Sequence, residues 1–134
     1  MFYNNSYKEP KLEQQLNQLM GAPYSIWYRL KNPAIGSSFL QVHEFRNFKI
    51  KAFDTLRTEH KKVVLEQRPK GIIVHFKINH DTFIWGIPYY QLHFYNTKYF
   101  SIHAQGKALL IEKDQFYARN LKYLKRIMEL RSLV

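Results

Sequence analysis

The sequence predicts an α+β fold that is mostly β: an antiparallel meander of about five to seven strands between a short N-terminal helix and a C-terminal amphipathic helix. Turn residues separate short segments of alternating hydrophobicity, and apolar residues recur at helical spacing near both ends of the chain. A length of 134 residues indicates one domain. We divide it into a helix and irregular lead-in (1–37), antiparallel strands (38–112) and a helix (114–131).

Composition excludes several classes of protein. The chain has no cysteine, which rules out disulfides, zinc ribbons and thiol catalysis. The hydrophobic fraction is 46% and the aromatic fraction 16%, which is typical of a folded domain rather than a disordered one. No apolar run approaches the length of a transmembrane helix, and the first residues lack the pattern of a signal peptide. The expected location is the cytoplasm.

The first element is predicted to be a short helix that begins near Pro10 and ends at Gly21. Proline suits the first turn, where its missing amide has no partner, and glycine suits the end of a helix. Its apolar stripe consists of Leu12, Leu16, Leu19 and Met20. Because so short a helix is marginal alone, the stripe is expected to pack on the sheet, with a partner-binding helix as the alternative. Residues 22–37 follow as an irregular segment, within which 25–30 is either a strand or a turn of helix.

Alternation with a period of two begins at Ser38 and predicts the first strands. Phe39, Gln41, His43 and Phe45 fall on one side, and Leu40, Val42 and Glu44 fall on the other. Phe48, Ile50 and Ala52 then alternate with Lys49 and Lys51. Residues 55–66 fit either a strand or a helical turn.

The clearest strands follow Gly71, where Ile72, Val74, Phe76 and Ile78 alternate with more polar residues. After a turn at 79–81, residues 82–87 are predicted to place Phe83, Trp85 and Ile87 on one face. Pro88 cannot donate to a ladder, so a bend or bulge is expected at 86–88. Further strands are predicted at 90–95, 100–104 and 107–112, with turns at 96–98 and at Gln105 and Gly106.

The last segment predicts an amphipathic helix with Asp114 as its N-cap. Tyr117, Leu121, Leu124 and Met128 form its apolar stripe. Arg119, Lys122 and Arg126 lie on the opposite face. We call these three residues the helix stripe.

This order of elements resembles the pleckstrin-homology-like (PH-like) barrel over about residues 38–131, in particular its small bacterial members. The resemblance is carried by Gly71-Ile72-Ile73-Val74, by Ile84-Trp85-Gly86-Ile87-Pro88-Tyr89 and by Phe100-Ser101-Ile102-His103. Members of this superfold bind phosphoinositides, peptides or other proteins, so the resemblance implies a binding module. It does not imply a particular ligand, because Lys49 and Lys51 are the nearest approach to a spaced basic cluster.

The sequence contains no catalytic or metal-binding motif. The five glycines are too dispersed for a phosphate-binding loop. Most carboxylates are next to Lys or Arg, which is typical of solvated ion pairs and not of a catalytic dyad. His75, His93 and His103 fall on the less apolar faces of their strands and would form a zinc site if those strands brought them together. Surface histidines on a polar sheet face are the simpler interpretation. No cofactor, metal or catalytic residue is therefore predicted.

Charge and aromatic content indicate the class of partner. The formal net charge is +11, spread along the chain. The helix stripe and three outward tyrosines, Tyr89, Tyr95 and Tyr99, are the candidate contact residues. We expect a non-catalytic binding module whose partner is a protein or an anionic surface, with self-association through the sheet as a further alternative. A nucleic-acid-binding domain that uses the basic surface and tyrosines is the second hypothesis, and a small enzyme or ligand-binding barrel the third.

Overall fold

The computed structural model describes residues 1–31, 36–50 and 61–133, in which helices flank one antiparallel sheet. The strands are β1 (Phe2–Asn4), β2 (Leu40–Arg46), β3 (Lys61–Arg68), β4 (Gly71–Ile78), β5 (Asp81–Pro88), β6 (His93–Asn96), β7 (Phe100–Ala104) and β8 (Lys107–Ile111). The helices are α1 (Pro10–Met20), α2 (Ile26–Lys31), α3 (Gln115–Arg119) and α4 (Leu121–Ser132). A mostly β, α+β fold with a C-terminal helix is thus confirmed.

The eight strands form a single sheet in the order β1-β5-β4-β3-β2-β8-β7-β6. β2 to β5 make one meander and β6 to β8 another, and β2 joins them by pairing with both β3 and β8. β1 extends the sheet beyond β5, where Phe2 lies opposite Trp85. A strand of three residues shows no alternation, which is why the sequence did not predict it.

A bulge in β2 corrects the uninterrupted alternation expected there. Val42 lies opposite Ile111 but Glu44 lies opposite Leu110, so His43 is an extra residue in the ladder. An inserted residue moves all later side chains to the other face. Phe45 therefore packs against the core on the same side as Val42, and not on the side of His43 as predicted.

The inner face of the sheet carries the main core. The predicted inward residues of β4 and β5 are all buried, with Trp85 fully enclosed. Phe48 lies edge-on to the Trp85 ring, with the ring centroids 4.9 Å apart. α4 closes this core with Tyr123, Leu124 and Ile127.

Phe48 and Ile50 contact the core from a loop and not from a strand. Residues 51–60, where the sequence predicts more strand or helix, lie outside the described part.

The C-terminal helix is interrupted at Asn120, whereas the sequence predicts one continuous helix. Asp114 caps the start as expected, since its carboxylate accepts from the amides of Phe116 (2.9 Å) and Tyr117 (3.0 Å). The Asn120 side chain accepts from the Ser38 amide at 3.0 Å and donates to the Phe116 carbonyl at 2.9 Å. The bond to Ser38, 82 residues earlier in the chain, holds Asn120 at φ −98° and ψ 3°, which separates α3 from α4.

α1 packs on the outer face of the sheet, as its leucine stripe predicts. Leu16 and Met20 are buried against Ile73 of β4 and Ile84 of β5. Pro10 opens the helix, and Gly21 ends it with a positive φ of 83°. α2 settles the ambiguous residues 25–30 as a helix.

The chain bends after β5, but no bulge precedes the bend. β5 stays in register with β4 up to the pair Gly71–Pro88, and Tyr89–Gln91 then form a single 3-10 turn. The strand predicted for 90–95 consequently begins only at His93.

Gln105 connects the two meanders, and we call its bonds the Gln105 clasp. It occupies a hairpin turn with Gly106, and both residues have positive φ. Its side-chain amide donates to the Gly86 carbonyl at 3.1 Å, and its oxygen accepts from the Trp85 indole at 3.2 Å and from the Met1 amine at 2.9 Å.

Across the described ranges, no helix is long and apolar enough to cross a membrane.

Candidate functional site

The outer face formed by β2 and the second meander presents side chains from four neighbouring strands in two lateral rows. Residues opposite each other in adjacent antiparallel strands point to the same face of the sheet. The first row is Arg46, Ala108, His103 and His93, and the second is Glu44, Leu110, Ser101 and Tyr95. The outer-face groove is the depression between Arg46 and Glu44 of β2 on one side and His93 and Tyr95 of β6 on the other.

Nearly buried residues form the floor of the groove, and longer, exposed side chains form its two sides. Its floor consists of Ser101, Ala108 and Leu110, each only 6% exposed. Arg46 of β2 lies on one side of the groove, and His93 and Tyr95 of β6 lie on the other. Two adjoining cavities occupy the groove, one of about 750 Å³ and one of about 440 Å³, and both are lined by Arg46 and His103.

The larger cavity is lined by one cationic side chain and two imidazole rings. Arg46 contributes the cation, and His93 and His103 contribute the rings. Lys107 also borders the cavity, but it pairs with the buried Ala104, so its side chain points to the other face of the sheet, where its ammonium lies 5.6 Å from the Phe2 ring centroid. The described lining of the cavity contains no carboxylate. The Arg46 Nε donates to Glu44 at 2.9 Å, but no described residue bonds the two outer guanidinium nitrogens. The guanidinium therefore keeps donors for a ligand.

The smaller cavity is aromatic and polar. It is lined by Tyr95, Tyr99, Ser101 and Leu110 in addition to the shared residues. Tyr95 is 55% exposed, and its ring meets that of His103 at 79° with the centroids 4.7 Å apart. Burial, followed by the charges of Arg46 and His93, lowers the pKa of His103. His103 is therefore a neutral donor or acceptor near pH 7.

The three candidate zinc ligands do not converge. His93 and His103 lie directly opposite each other in β6 and β7. His75 lies on β4, which three strands separate from β7, and its Nε2 is 2.8 Å from Glu66 Oε1. Within the described residues, no group of three or more histidine or acidic side chains has the arrangement of a metal site.

The predicted outward tyrosines have different environments. Tyr89 is 5% exposed, so its assignment to the surface is wrong. The 3-10 turn after Pro88 directs it inward, where its hydroxyl lies 3.5 Å from the Arg68 carbonyl. Tyr95 is exposed as predicted. Tyr99 is partly exposed and stacks on His43 at 4.0 Å.

The helix stripe spans the break between α3 and α4. Arg119, Lys122 and Arg126 are all exposed, which confirms the predicted polar face. The Arg119 guanidinium lies 5.4 Å from the Phe116 ring centroid. All three side chains lie on the exposed face of the helices, whereas the floor of the outer-face groove is nearly buried.

A second polar cluster surrounds Glu66 on the outer face of β3. Its carboxylate accepts from Arg68 Nε at 2.6 Å and bonds His75 at 2.8 Å. The Arg68 Nη1 also donates to Asn17 and to the Gly21 carbonyl, both at 2.9 Å. Burial alone raises the pKa of Glu66, but hydrogen bonds from His75 and Arg68 outweigh it and lower that pKa to about 2. The cluster thus ties α1 to the sheet.

We expect stability to fall in acid because of Glu66. The pKa of Glu66 in the folded protein is below the ordinary value of 4.5. Its contribution to the free energy of unfolding is therefore complete above pH 4.5 and is lost as the pH falls toward 2. The loss amounts to about 2 to 3 kcal/mol. Chemical denaturation at pH 6 and at pH 3 measures it, and Glu66→Gln is expected to remove that share of the pH dependence. The control Glu112→Gln alters the more exposed pair with His43 and should leave the profile near that of the parent. Equal effects of the two variants would contradict the assignment.

Comparison of the chain with protein-family models, with curated proteins and with solved structures finds no match. The outer-face groove therefore has to be interpreted from its own geometry and charge.

Proposed function

We propose that the chain is a non-catalytic binding module of PH-like form that holds an anionic partner, a protein or a charged surface, in the outer-face groove. One observation carries this proposal: the cavity of about 750 Å³ is lined by two histidines and by Arg46, whose outer guanidinium nitrogens are unpaired within the described residues, and its described lining has no carboxylate. Cationic and imidazole N–H donors around a recess are suited to a carboxylate, sulfate or phosphate group.

The strand order supports the PH-like part of the proposal. β2 of the four-stranded meander pairs with β8 of the three-stranded meander, and α4 near the C-terminal end of the chain covers the core. The Ile87-Pro88-Tyr89 step lies at the end of β5, where the first meander passes into the second.

The overall charge supports an anionic partner as well. A net charge of +11 attracts anions over a distance, while the groove provides a place where specific contacts form. Long-range attraction is screened by salt, and contacts in a recess are screened less. Binding is therefore expected to weaken, but not to vanish, at physiological ionic strength.

The proposal is tested by comparing charge removal at the groove with charge removal elsewhere. We expect Arg46→Gln to bind a fluorescent heparin fragment about fivefold more weakly at low salt, measured by anisotropy. The matched control Arg119→Gln removes the same charge from the helix stripe and should change affinity less than about twofold. Thermal unfolding establishes that both variants are folded. Equal losses in the two variants, or a larger loss in the helix stripe variant, would show that the groove is not the binding site.

A further inference from the structure

We propose that the outer-face groove binds single-stranded nucleic acid, with a base against Tyr95 and a phosphate on the outer guanidinium nitrogens of Arg46. This inference rests on the proposed function for the groove and its anionic ligand, and takes a nucleic acid, instead of a protein or a charged surface, as the partner. It follows from the two adjoining cavities, one cationic and one aromatic, that meet at Arg46 and His103. A nucleotide has the same two parts, a charged phosphate beside a flat base.

Tyr95 provides the stacking surface. More than half of the side chain is exposed. A ring has two faces, and the edge-to-face contact with His103 uses at most one of them. Aromatic rings beside a basic groove are the common means by which proteins hold single-stranded bases without strict sequence preference.

Unused hydrogen-bonding groups lie at the same place. The hydroxyl of Ser101 has no hydrogen-bond partner among the described residues, although the residue as a whole is nearly buried, and it lies in the lining of the smaller cavity. The outer nitrogens of Arg46 are likewise unpaired within the described chain. A base edge would meet the hydroxyl, and a phosphate would meet the guanidinium.

The dimensions favour a single strand over a duplex or a membrane. Arg46 and His93 are three strand spacings apart, which is about 14 Å between their backbones. That width is smaller than the diameter of a duplex. A membrane surface is flat and would not reach the recessed floor formed by Ser101 and Ala108. A flexible strand is able to enter such a recess.

The test separates stacking from charge. Fluorescence anisotropy would compare an oligothymidylate of about ten nucleotides with an abasic oligomer of the same length and charge. We expect the oligothymidylate to bind about tenfold more tightly. Tyr95→Ala should abolish that difference, and Tyr95→Phe should preserve it because the ring remains. The matched control is Tyr90→Ala, which removes a tyrosine of similar exposure from the 3-10 turn and should have no effect.

Several results would overturn the inference. They are equal binding of the two oligomers, an unchanged preference in Tyr95→Ala, duplex DNA binding at least as tightly as the single strand, or anionic vesicles competing better than the oligomer. If heparin binding still depends on Arg46 in those cases, the proposed function stands and only the nucleic-acid partner is wrong. If heparin binding is also insensitive to the groove variant, both proposals fail.

Discussion

Replacement of Arg68 by alanine is expected to lower the free energy of unfolding by about 3 kcal/mol. The Arg68 side chain is 8% exposed and bonds Glu66, Asn17 and the Gly21 carbonyl together. Its removal leaves a largely buried carboxylate with one fewer cation and a carbonyl at the end of α1 without its donor. Urea denaturation measures the loss, and hydrogen exchange should show that α1 amides lose protection first.

Arg29 provides a control on the same carboxylate. It lies 3.9 Å from Glu66, but its side chain is 51% exposed. Exposed pairs at that distance contribute little, so Arg29→Ala should cost less than about 1 kcal/mol. Similar losses for the two arginines would mean that Arg68 acts through bulk charge and not through its buried bonds.

Replacement of Gly71 by alanine is expected to have a comparable effect, about 3 kcal/mol. A Cβ at this position would lie 2.1 Å from the Ile87 carbonyl oxygen and 2.8 Å from the Pro88 Cα. Both of these atoms belong to the paired backbone of β5, so relief of the clash would disturb the β4–β5 ladder. The midpoint of chemical denaturation reports the effect.

Two other glycines calibrate that prediction. At Gly86 the closest atom to a new Cβ is Leu16 Cδ1 at 2.6 Å, the end of a flexible side chain, so Gly86→Ala should be less damaging. At Gly36 the contact is an ordinary 3.7 Å, and Gly36→Ala should be nearly neutral. The order Gly71, Gly86, Gly36 is therefore expected, and a Gly71→Ala variant as stable as Gly36→Ala would contradict it.

Local patterns predicted the regular part of the fold. The alternation of β4 and β5 and the stripe of the C-terminal helix each involve many residues whose periods agree. The bulge at His43 and the break at Asn120 each depend on one residue and on a partner distant in sequence. Neither leaves a periodic signal, so both were missed.

The groove was predicted only in fragments. Alternation placed His93, Tyr95 and His103 on outward faces, but it does not give the register that sets them side by side. Arg46 was missed because the bulge at His43 determines which face it occupies. Tyr89 was misplaced because it lies between the predicted strands 82–87 and 90–95, where alternation gives no orientation, and a 3-10 turn directs it inward.

The Gln105 clasp has a consequence for folding kinetics. It joins Gln105 to Gly86, 19 residues earlier, and to the Met1 amine, 104 residues earlier. Formation of contacts across such separations costs the conformational entropy of closing a long segment of chain. We therefore expect these contacts to form after the local hairpins. Interactions that are absent from the transition state act mainly on the unfolding rate. The clasp is therefore expected to hold the two meanders together by slowing their separation, with little influence on how fast either one forms.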